Sequence, residues 1–149
     1  MSPIEKQAEI IYFTGRNIAH NLDFIPEEKI DWKPAPEAKS ALEIVNHIGK
    51  NMTGAIGLVT TGEWDSNYES ATDRESAKTA ILKTMNAYAD KLRTLTPSDL
   101  EKDANTPMGT FPLGGFVDMT VFDPAHHHGQ IAYIQTLLGD GETHLDFGV

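Results

Sequence analysis

The sequence predicts an all-α protein, a bundle of four amphipathic helices. Three observations carry that prediction. Apolar residues recur at helical intervals in four separate segments, Ser/Thr-x-x-Glu pairs stand just ahead of two of them, and strand-like alternation is absent throughout. Four helices with one apolar face each pack most simply against one another. At 149 residues the chain is long enough for one core without staples, so 1–149 reads as a single domain.

The first stripe places Ile4, Ala8, Ile11, Gly15, Ile18 and Leu22 on one face, and Ile25-Pro26 should stop that helix near Asp23. A connector from Pro26 to Lys39 follows, with Pro34 and Pro36 close to Trp32. The second helix should open on a capping box, Ser40 with Glu43, and run through Leu42, Val45, Ile48, Met52, Ala55 and Val59 to Thr61-Gly62. A second box, Thr72 with Glu75, precedes the stripe Ala77, Ile81, Met85, Tyr88, Leu92 and Leu95, which Pro97 should end. Prolines and glycines between Thr106 and Gly115 predict a loop or a short extended piece. The fourth helix is expected from about Phe116 to Leu138, with Phe116, Thr120, Asp123, His127, Ile131, Ile134 and Leu138 on one face and Gly139 as terminator.

Composition excludes several kinds of function. There is no cysteine, so disulfides, thiolate ligands and a protein-borne thiol nucleophile are all ruled out. The formal net charge of −10, with no basic run interleaved with aromatics, argues against a nucleic-acid partner. The first residues carry no basic stretch followed by an apolar one, and no apolar run approaches bilayer length. The expectation is a cytoplasmic protein with no membrane partner.

Among the six histidines, His20 and His144 stand apart and read as ordinary surface or hydrogen-bonded residues. Three consecutive ones, His126, His127 and His128, cannot all point one way, since each helical step turns the side chain by about 100°. The apolar phase selects His127 as inward and leaves His126 and His128 for the rim or solvent. Asp123 lies four residues before His127 and so shares its face, a spacing at which two side chains can chelate one ion. His47, at the edge of the second stripe, completes a candidate set of two imidazoles and one carboxylate. Such a set suits Zn, Ni or Fe and leaves positions free for water or substrate. Pro124 leaves two readings of Asp123 open. Either the helix starts there with Asp123 as its N-cap, or it runs through and Asp123 faces inward as a ligand.

Several of these residues carry a resemblance. Trp32-Lys33-Pro34-Ala35-Pro36 with Ser40 and Glu43 to Ile48 resembles the connector and second helix of the DinB-like (DinB/YfiT) superfamily. His127-His128-Gly129-Gln130-Ile131, closing on Leu137-Leu138-Gly139, is similar to its His-Arg-Gly-Gln signature helix. The resemblance spans essentially the whole chain. It implies an up-up-down-down-like bundle holding a divalent metal on three histidines, two of them matched by His47 and His127. The third family histidine falls on Asp123, and the usual arginine is His128. Some relatives are metal-dependent transferases using a low-molecular-weight thiol such as bacillithiol, mycothiol or glutathione.

Three functions compete on this reading. The first is a metal-dependent hydrolase or thiol transferase acting on a small molecule. The second is a non-catalytic small-molecule-binding protein with a structural metal. The third is a metal-free network of His47, Asp123 and His127. The resemblance also implies a homodimer, for which Tyr12, Ile44 and Ala132, off the main stripes, offer a second apolar face.

Overall fold

The predicted stripes become the buried faces of four long helices: α1 (Pro3–Leu22), α2 (Ala41–Thr61), α3 (Arg74–Leu92) and α5 (Leu113–Leu137). The computed structural model describes all of residues 1–149. Ile11, Ile18 and Leu22 of α1, Val45, Ile48 and Met52 of α2, and Ile81, Met85, Tyr88 and Leu92 of α3 are almost wholly shielded from solvent. Each such large side chain contributes about 1.5–3 kcal/mol of transfer free energy. Their common burial, rather than helix propensity, holds the bundle together.

α1 and α2 each pack on both α3 and α5, so α2 and α5, which carry the candidate metal residues, are neighbours. The α1–α3 contact is close because Gly15 faces Met85; a Cβ at Gly15 would lie 2.6 Å from the Met85 Cβ. Two helices open on capping boxes, of which that of α2 was expected from the sequence. Ser2 with Glu5 caps α1, and Ser40 with Glu43 caps α2, each side chain bonding the other residue's backbone N–H. α2 ends at Gly62, whose φ of 80° is a conformation most side chains resist.

Several expectations need correction. The cap of α3 is Asp73, not Thr72: the Asp73 carboxylate accepts the Ser76 N–H at 2.7 Å, and the Ser76 hydroxyl accepts the Asp73 N–H at 3.1 Å. Aspartate caps as well as threonine and brings a charge favoured by the helix dipole, which moves the box by one residue. Pro97 does not end α3, which stops at Leu92. Instead Pro97 opens a short helix, α4 (Pro97–Leu100), behind its own cap, Thr96. The segment expected as a loop or a short extended piece holds two such pieces, β1 (Asp103–Thr106) paired antiparallel with β2 (Gly109–Pro112) in a hairpin, in the register Ala104 to Phe111. Its strands are too short for alternation to show in the sequence. Leu113 follows directly and is already helical, so α5 begins earlier than periodicity suggested.

The C-terminal tail is packed. The Gln135 amide donates to the Asp140 and Glu142 carbonyls, and the Asp146 backbone is tied to Asn17 of α1 by two hydrogen bonds. The His144 ring stacks on Phe24 at 3.5 Å and bonds Asp140 at 2.9 Å. Of the residues suggested as a second apolar face, Ile44 is a core residue, 2% exposed, and is unavailable for that role.

Candidate metal centre

α5 runs without a break from Leu113 to Leu137, and Pro124 lies buried inside it. Asp123 is therefore a mid-helix residue and not an N-cap. With the helical phase preserved, Asp123 and His127 sit one turn apart on the face that meets α2. His47 reaches the same point from α2. Donor atoms of His47, Asp123 and His127 all lie within 4.8 Å of one another, so the three could hold a metal ion. The two imidazole rings stand nearly perpendicular, with centroids 4.8 Å apart.

The chemistry of the donors fits a cation. Nδ1 of His127 lies 2.7 Å from Oε1 of Gln130, an acceptor, and so carries the ring proton. Nε2 faces the Asp123 Oδ1 at 3.4 Å. A positive charge between these two atoms, a metal ion or a proton on Nε2, would satisfy both. The other carboxylate oxygen, Oδ2 of Asp123, is buried with no hydrogen-bond partner, an arrangement that costs about 1–3 kcal/mol if left uncompensated. Burial lowers the His47 pKa, and His127, Lys39 and Lys50 lower it further against the opposing pull of Asp123. Near neutral pH His47 is thus an uncharged imidazole, the form that ligates metals. The Asn51 amide, one turn along α2, lies 3.3 Å from the His47 Nε2.

Beside this cluster lies a cleft of about 290 Å³. Pro34, Ala38 and Ile44 form one wall, Tyr133 and Ile134 the other, and His127 and Gln130 sit within it. The connector that the prolines marked is thus one side of an opening onto the cluster. Glu37 and Lys39 line the cleft as well.

The remaining histidines divide differently from the sequence reading. His126 is exposed and stacks on Phe122, as a rim residue should. His128 is turned toward α1, where Nε2 meets the Asn21 Oδ1 at 2.5 Å, and burial lowers its pKa. Asn21 in turn donates to Gln135 at 2.6 Å. A rim or solvent role for His128 is therefore incorrect: α5 has neighbours on two sides, and His128 faces the second. Asn51 and the Asn21–Gln135 pair were missed in the sequence. Asn51 carries a signal in its i, i+4 spacing from His47, whereas the other pairing is long-range and leaves none.

A sequence model of the DinB superfamily matches residues 11–131. The chain belongs to the DinB superfamily. The crystal structure of a DinB-like protein of Bacillus subtilis, YjoA, is similar over 95% of this chain and 96% of that one, with a TM-score of 0.77 and 17% sequence identity. Identity that low speaks to the fold, and the shared fold is the DinB-like bundle. No curated protein matches the sequence.

Proposed function

We propose that this DinB-superfamily protein binds one divalent metal ion through His47, Asp123 and His127 and uses it to act on a small molecule, as a hydrolase or as a transferase of an external low-molecular-weight thiol. The observation that carries the reading is the orphaned Oδ2 of Asp123, buried beside two imidazoles in a part of the molecule that a cleft reaches. The donor set favours Zn, Ni or Fe. A bound metal of this kind lowers the pKa of a coordinated water or thiol and makes it nucleophilic near neutral pH. The chain's own contributions are separate. Gln130 lies within hydrogen-bond reach of the His127 Nδ1, burial favours the neutral form of His47, and Ile44 and Ile134 give the cleft an apolar lining. Because the chain has no cysteine, any thiol substrate comes from outside. A cytoplasmic setting without nucleic-acid partners belongs to the same reading, supported by the net charge of −10. No helix is long and apolar enough to cross a membrane.

A non-catalytic binding role draws on one feature. Apart from His127, the cleft's titratable lining residues are Glu37, Lys39 and Tyr133, all exposed, and none is hydrogen-bonded to the cluster. Two measurements separate the readings. Untagged protein, metal-supplemented and desalted, should hold close to one ion per chain, and His47→Ala should lose most of it because α5 cannot replace the donor from α2. Stoichiometric metal in that variant would refute the ligand set. Thiol conjugation of electrophiles and ester hydrolysis, each assayed with and without metal, should show metal-dependent turnover in one assay; binding without turnover in both assigns the second role.

A further inference from the structure

The cleft beside the metal cluster is charged unlike the rest of the molecule. Over the whole chain acidic residues outnumber basic ones, 22 to 12. After burial, the groups whose charge shifts the His47 pKa are His127, Asp123, Lys39 and Lys50, and Asp123 is the only carboxylate among them. Two lysines thus act on a site that holds one acid, and a divalent ion there would add to their charge. Lys39 also lines the cleft. It is exposed and has no ion-pair partner, whereas Lys33, a little earlier in the connector, is held by Glu43 at 2.9 Å. Apolar walls concentrate such a field, and Ile44 and Ile134 supply them.

We propose that the small molecule taken by this site is a monoanion, a compact apolar or aromatic body bearing one carboxylate, held by Lys39 on one wall of the cleft and Tyr133 on the other. The inference rests on the metal-dependent reading above and names the substrate class for it. Three features of the cleft select that ligand. Its volume of about 290 Å³ is nearly double the ~150 Å³ of a cavity that binds benzene, so a substituted ring fits and leaves room for a reacting end at His127. Pro34, Ala38, Ile44 and Ile134 receive the apolar body. Tyr133 offers an aromatic face and a hydroxyl with no hydrogen-bond partner on the α5 wall, facing the connector that carries Lys39. Glu37 then limits the charge. Its carboxylate lines the same cleft without an ion-pair partner, so Lys39 balances one negative charge on the ligand while a second meets repulsion.

Benzoate, its neutral counterpart benzamide, the cation benzylamine and the dianion phenyl phosphate serve as probes. Each is titrated calorimetrically into zinc-supplemented and into metal-free full-length protein, with zinc content measured separately. Benzoate should bind about fivefold more tightly than benzamide or benzylamine, and Lys39→Gln should remove that advantage while leaving benzamide affinity and zinc content unchanged. Lys83→Gln, which removes the same charge from the exposed side of α3, should leave the preference intact. Glu37→Gln should tighten phenyl phosphate about threefold. Benzoate no tighter than benzamide, no benzoate binding at millimolar concentration, or equal losses in Lys39→Gln and Lys83→Gln would overturn the proposal. A preference that survives Lys39→Gln would overturn it too, by placing the carboxylate on the ion. Phenyl phosphate unmoved by Glu37→Gln would overturn the restriction to one charge. Failure of the metal reading looks different: no zinc is bound, yet the Lys39-dependent preference persists in the metal-free protein. One zinc per chain with no preference for benzoate leaves that reading standing and overturns this one.

Discussion

Replacing Asp123 by alanine has opposite consequences with and without metal, and the structure sets both magnitudes. In metal-free protein the side chain holds one oxygen, Oδ2, buried without a partner, and the other 3.4 Å from the His127 Nε2. Removing an unsatisfied buried acceptor relieves about 1–3 kcal/mol, and the low end applies because 35% of the side chain reaches solvent. Alanine is also the better residue inside a helix. Metal-free Asp123→Ala is therefore expected to gain roughly 1 kcal/mol, or about 2–4 °C in a chain of this length. The metal-bound protein should respond the other way. At a free-metal concentration 100 times Kd, wild type gains about 2.7 kcal/mol, a rise of about 5–11 °C. Loss of a direct ligand should weaken affinity at least as much as loss of a supporting residue, about 100-fold. That leaves about 0.4 kcal/mol and a shift near 1 °C at the same metal concentration. Asp123→His should restore most of the shift. Thermal denaturation with EDTA or with added metal, paired with calorimetric titration, reads all of these values. A metal-induced rise in Asp123→Ala equal to that of wild type would show that the carboxylate is not a ligand.

Tyr88, wholly buried on α3, shares a 2.7 Å hydrogen bond with Thr120 of α5. Tyr88→Phe should cost about 1 kcal/mol in urea denaturation; because Thr120 keeps the Val117 carbonyl as a partner, a loss above about 3 kcal/mol would contradict this account. The Glu43 pKa is lowered from 4.5, first by the Ser40 backbone N–H and then by Lys33. Its contribution to stability is therefore present above pH 4.5 and is lost as pH falls through the lowered folded value. Glu43→Gln should be less stable than wild type at neutral pH, with the gap closing below pH 4.5; parallel stability curves down to strong acid would count against the capping box. Ser40→Ala should lose about 1 kcal/mol at neutral pH by removing the other half of that box.

Four helices were legible because each carries its own period. Ile11, Ile18, Val45, Ile48, Ile81 and Met85 announce burial by spacing alone, and the Ser40–Glu43 box and Gly62 mark the limits of α2 through bonds that span a few residues. The hairpin at 103–112 was not legible, since four-residue strands hold too little pattern to distinguish from a loop. The cap of α3 was misplaced by one residue because Thr72, Asp73, Glu75 and Ser76 all have capping chemistry, and local sequence does not rank them.

The candidate site divides along the same line. The sequence by itself determined that Asp123 and His127 stand four residues apart, the spacing that puts two side chains on one face wherever the helix is continuous. It also determined that any thiol must come from outside and that the protein is acidic. Whether Asp123 capped a helix or lay within one was decided by tertiary packing: Pro124 is buried against the bundle, and this burial opposes the cost of a proline inside α5. The meeting of His47 with that pair and the inward turn of His128 onto Asn21 depend on which helices become neighbours. Residue spacing along one helix is set by 3.6 residues per turn, but the rotation of that helix against its partners is set by the sum of all its contacts, and no single segment contains that sum.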